Sequence, residues 1–151
     1  MAELATDNSA IRTLADIEEI KQLSHRYSRG LDTFDLEGIL SVYTDDAVFD
    51  ASGFELGKME GRDQLRKFFG RSLETLKTSI HLIGSHIIDV DGDSAAGSCY
   101  LDQDGYTHEG NRVRCLGIYE DTYRRTDVGW KISSRKISPL VPFEIGDLEG
   151  I

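Results

Sequence analysis

The chain has 151 residues, with 27 acidic against 17 basic side chains and a formal net charge of −10. That balance argues against nucleic acid or an anionic membrane as partner, because both need clustered Lys and Arg. A chain of this length reads as one domain, able to bury about 68–70% of its unfolded surface without staples, and no apolar run approaches the ~18 residues of a membrane span.

Residues 1–9 are polar and expected to be frayed. Ile11, Leu14, Ile17, Ile20, Leu23, Tyr27 and Leu31 then recur at spacings of three or four, the signature of one apolar helix face. His25 falls on the opposite, solvated face. A shorter helix is predicted over 35–44, with Asp35 as N-cap. DDAVFD (45–50) and FELGKME (54–60) read as a hairpin arm around Ser52-Gly53. A third helix is predicted over 62–77, with Leu65, Phe68, Phe69, Leu73 and Leu76 facing the core.

From there the pattern changes to long strands over 79–90, 94–106, 112–125 and 129–140. Asp91-Gly92 signals a type I′ hairpin. DVDGD is not a calcium loop, because the liganding Glu at the twelfth position is missing. Helices segregated from consecutive antiparallel strands predict an α+β fold, and a curved sheet over helices leaves room for an apolar cavity. Cys99 and Cys115 make neither a metal spacing nor a disulfide framework. Reduced core thiols, with no basic, apolar leader at the N-terminus, give the expectation of a cytoplasmic protein.

Five side chains stand out as chemistry carriers. His81 lies early in the first long strand, and strict alternation puts His86 on the opposite face. Their spacing makes no metal site, and His108 is expected at an exposed hairpin tip. Asp32 is the carboxylate to test against His81, since a His base works best when a carboxylate fixes its tautomer. Tyr27 lies on the apolar stripe, about 140° round an ideal helix from Asp32. The two converge only if the helix loosens near Gly30. Arg135 alternates away from Trp130 and Ile132 unless a bulge intervenes. Gln103 shares the more apolar face of its strand with Ala95, Gly97, Cys99 and Leu101. No glycine-rich phosphate loop or Gly-x-Ser-x-Gly elbow is present, so no nucleotide cofactor is implied.

IEEIKQLSHRYSRGLD, DDAVFD, GRDQLRKFF, IHLIGSHIIDVDGDSA and GIYEDTYRRTDVGWKISSRKI occur in that order. From about Ile17 to Leu140 the chain resembles SnoaL-like proteins of the nuclear-transport-factor-2-like superfamily. The nearest kinds are scytalone dehydratase, bile-acid 7α-dehydratase and hexachlorocyclohexane dehydrochlorinase. The resemblance implies a cone, a curved antiparallel sheet closed by three helices. It implies an acid–base dyad of Asp32 and His81 inside, with Tyr27 as the matching phenol of the bile-acid pattern. Arg135 matches the last-strand arginine of the dehydrochlorinase-like members. Gln103 stands where the bile-acid enzyme has an acid, a departure that weakens the case for that substrate. The implied activity is a cofactor-independent lyase, with no metal, acting on a small hydrophobic ring compound. The alternatives are an isomerase or cyclase with the same dyad, or a binding module like the small subunit of ring-hydroxylating oxygenases. A homodimer or homotrimer built on the outer sheet face is implied, with the tail 141–151 covering the cone mouth.

Overall fold

Ile20, Leu23, Tyr27 and Leu31 are all buried, so the apolar stripe of the first helix, α1 (Ala2–Asp32), is its core face. The computed structural model describes residues 2–142, with side chains from residue 8. α1 therefore takes in residues 2–9, which the sequence reading placed ahead of it. Its end is a Schellman motif: Asp35 N–H donates to the Gly30 carbonyl at 2.8 Å and Phe34 N–H to that of Leu31 at 3.4 Å. Phe34 takes the left-handed position (φ 58°) usually given to Gly. Gly30 does not loosen the helix. A Cβ there would lie 2.8 Å from Ile39 Cγ1, so glycine is what lets α2 (Leu36–Ser41) pack against α1. Asp35 caps α2 as expected, accepting from Gly38 N–H at 2.9 Å.

The hairpin arm is β1 (Tyr43–Asp50) with β2 (Lys58–Glu60), joined through a single 3₁₀ turn, Ser52–Phe54. Then come α3 (Gly61–Thr75), β3 (Leu76–Asp91), β4 (Ser94–Thr107), β5 (Arg112–Thr126) and β6 (Gly129–Pro139). The β3–β4 loop is Gly92-Asp93, between the paired Asp91 and Ser94. Gly92 alone takes positive φ, as in a type II′ turn and not the expected type I′. The sheet is curved and unclosed, in the order β2-β1-β6-β5-β4-β3. All pairings are antiparallel except β1 with β6, which the sequence reading did not foresee.

Two bulges decide which side chains face inward. On β3 the register passes from Gly84–Tyr100 to Ile87–Ser98, so Ser85 and His86 oppose Cys99 alone. Ser85 takes the left-handed conformation that such a bulge uses (φ 50°). His81 and His86 consequently face the same side, contrary to strict alternation. On β6 the register slips between Ile132 and Ser134, and Arg135 joins Trp130 and Ile132 inside with no exposed surface. The β5–β6 turn is pinned to α1: Trp130 donates through N–H to Glu19 at 2.8 Å and through Nε1 to Asp16 at 2.9 Å, and Arg125 pairs with Asp16. No helix among the described residues is long and apolar enough to cross a membrane.

Candidate active site

Between helices and sheet lies a cavity of about 300 Å³. Leu31, Phe49, Phe54, Phe68, Phe69, Leu101 and Ile137 make most of its wall apolar. The polar groups that reach it are few: His81, Gln103, Tyr27, Tyr119, Ser72 and Cys115. Concave apolar walls with a few convergent polar groups are what small-molecule sites look like.

Its floor is a row across three strands, because His81 pairs with Gln103 and Gln103 with Cys115. Asp32 is the last residue of α1 and stands behind His81. Its Oδ1 is 2.7 Å from His81 Nδ1, and its Oδ2 accepts the His81 backbone N–H at 3.1 Å. Both side chains are largely buried, His81 at 9% and Asp32 at 19% exposure. A carboxylate accepts only, so Nδ1 carries the proton and the lone pair lies on Nε2. Nε2 has no partner among the described residues.

A carboxylate at a helix C-terminus faces the negative end of the helix dipole, which is locally unfavourable. His81 supplies the compensating contacts.

Tyr27 does not meet Asp32 directly, but it reaches the same cavity as His81. Its ring stands edge-on to Tyr43, Phe69 and Tyr119, with centroids 5.8–6.0 Å away. Burial pushes the Tyr27 phenol above its usual value, while the Arg135 guanidinium and the Tyr119 hydroxyl pull it partly back. Tyr27 is thus a protonated donor at neutral pH.

Gln103 is only 7% exposed, lines the cavity, and its carboxamide has no partner among the described residues. The free amide offers a donor and an acceptor to a ligand with a hydrogen-bonding group.

Arg135 does not line the cavity. It lies one layer beneath, its Cζ 4.6 Å from the Tyr27 ring centre and 4.2 Å from that of Tyr119. Nε and Nη2 donate to the two oxygens of Asp121 at 2.8 and 2.7 Å, and Nη2 also to Ser24. Tyr123 donates to Asp121 at 2.7 Å, and its oxygen lies 3.1 Å from His86 Nε2. The sequence reading missed Tyr119, Asp121 and Tyr123. The available signal was a charged Asp121 in register with the inward Tyr119 and Tyr123. Asp102, beside Gln103, faces outward to Arg114 at 3.0 Å. His25 and His108 are exposed.

His86, Cys99 and Asp121 bring ligand-type atoms within 4.8 Å of one another. Arg135 and Tyr123 already hold both Asp121 oxygens. Burial also pushes the Cys99 thiol up to about 11. A protonated thiol beside a guanidinium does not suit a divalent cation.

The SnoaL-like domain matches residues 12–136. A Novosphingobium aromaticivorans crystal structure described as a "putative aromatic ring hydroxylase" is 30% identical, with TM-score 0.84 over 87% of this chain and 93% of that one. A "putative scytalone dehydratase" from the same organism is 20% identical, with TM-score 0.79 over 85% and 87%. LinA is 22% identical, with TM-score 0.77 over 91% and 98%. These last two likenesses show the fold alone. No curated protein matches the chain.

Proposed function

The chain belongs to the SnoaL-like family, and on that premise we propose that it is a cofactor-independent lyase with His81 as its base. The observation that carries the reading is the 2.7 Å contact that fixes His81 Nδ1 on Asp32 while His81 lines an apolar cavity.

The substrate is a small, mostly apolar ring compound with a carbonyl or similar group. Nε2 takes a proton from the carbon beside that carbonyl. The C–H electron pair moves toward the carbonyl, and the developing oxyanion is met by the Tyr27 O–H. Asp32 stabilises the imidazolium. The electron pair then forms the carbon–carbon double bond as hydroxide leaves, and the imidazolium proton completes a water molecule. Gln103 holds a second polar group of the substrate. Arg135 acts through Tyr27 and Tyr119, fixing their rings from beneath.

Cyclic β-hydroxyketones, screened for loss of one water by mass, supply the test. His81→Ala is expected to lower turnover by roughly 10²–10⁴-fold with the fold retained. Undiminished turnover removes His81 as base. A product of unchanged mass would assign the dyad to isomerisation or cyclisation.

A second reading, a binding or assembly module of a ring-hydroxylating system, draws on the name of the 30% identical neighbour. Stoichiometric co-purification with a large subunit, with no turnover, would favour it. Self-association belongs to either reading. The outer sheet face exposes Leu82 and Tyr100, with Leu140 beside them, and a second copy of the chain would cover it.

A further inference from the structure

A wider space of about 680 Å³ adjoins the cavity and shares Leu56, Phe68, Ser72, Leu76 and Val113 with it. That adjoining space is walled further by Lys67 and Arg71 of α3, and no acidic side chain among the described residues lines it.

The cations of α3 fall into two pairs, each four residues apart on one helix face. Arg62 is neutralised by Asp45 at 3.5 Å and Arg66 by Glu37. Lys67 and Arg71 lie about 140° round the helix from them. Neither closes an ion pair among the described residues, although Asp63 and Glu74 stand four residues before Lys67 and three after Arg71. In a chain of net charge −10, the space beside the buried site thus carries two cations that close no ion pair among the described residues. A cleft of one sign concentrates ligands of the other.

We propose that the ligand is an amphiphile: an apolar ring held at His81 and an anionic tail, carboxylate or phosphate, lying between Lys67 and Arg71. This rests on the cavity being a ligand site, as the proposed lyase requires, but not on the chemistry of the dyad.

Calorimetric titration tests it with three probes sharing one ring: naphthylbutanol, naphthylbutanoate and naphthylbutyl phosphate. The two anions are expected to bind wild type roughly fivefold to tenfold tighter than the alcohol. The advantage should shrink with added salt. Lys67→Gln/Arg71→Gln should remove it while leaving alcohol binding unchanged. The tighter of the two anions identifies the tail. An alcohol that binds as tightly as the anions overturns the proposal. So does an anion preference surviving in the double variant, or no binding by any probe. His81→Gln keeps the anion preference in this account. If the preference is present but His81 proves dispensable for turnover, the lyase reading alone fails.

Discussion

Single residues at this site break local rules, and each departure has its compensation in the cavity. Asp32 ends a helix where a cation would be preferred, and Gln103 buries an amide without a partner among the described residues. Local departures of this kind gather where function constrains the sequence. Gln103→Met should therefore cost little stability, because the amide makes no hydrogen bond among the described residues and faces the cavity. The same change should weaken ligand binding. Urea unfolding and calorimetry read the two effects separately. Tyr27→Phe keeps the ring contacts but lacks the donor, so turnover should fall, with a modest drop in melting temperature from the lost contact with the Tyr119 hydroxyl. The residues themselves were legible: Tyr27, Asp32, His81 and Gln103 could be singled out by type and position. Their contacts were not, since the 49 residues between Asp32 and His81 are joined only by tertiary packing.

At the level of elements, periodicity located every helix and long strand, because each has one apolar face. It failed at the bulges. Two-residue alternation set His86 opposite His81, and Arg135 opposite Trp130 and Ile132 unless a bulge intervened, yet the sequence held a hint of the bulge. Ile132 and Ile137 both face the core five residues apart, an odd spacing that an unbroken strand does not allow. The β6 bulge turns Arg135 into the partner of a fully buried Asp121. Arg135→Met should cost about 3–5 kcal/mol, since it strands a buried carboxylate. Pairing it with Asp121→Leu should recover much of that loss. The β3 bulge turns His86 inward and half-buries it, and desolvation lowers its pKa despite the opposing pull of Asp121. The unfolded chain then binds the proton more readily, so stability should decline as pH drops below about 6.5. His86→Gln should flatten that part of the urea midpoint profile.

For the whole molecule, acid stability depends on carboxylates that tie strands and helix together. Arg112 and then Arg114 hold Asp104 down to about 2, and Arg125 lowers Asp16 at the α1–β5 contact. Their native values lie below the unfolded one, so their stabilisation is complete above about pH 4 and is lost as pH falls toward 2. Urea midpoints between pH 5 and 2, taken for wild type and Arg112→Gln/Arg114→Gln, should show a shallower acid decline in the variant. The proposed self-association belongs to this scale too. Wild type should sediment as an oligomer and Leu82→Glu, on the outer face, as a monomer; a monomeric wild type would remove the proposal, and an unchanged oligomer would place the contact elsewhere.

The Asp32–His81 contact is central to all of this, and it can be measured without knowing the substrate. Imidazole ¹⁵N spectra of wild type and Asp32→Ala report which ring nitrogen of His81 bears the proton. A single tautomer protonated on Nδ1 is expected in wild type, giving way to a mixture once the carboxylate is gone. Identical tautomer populations in the two proteins would contradict it, and would leave the cavity as a binding site without a fixed base.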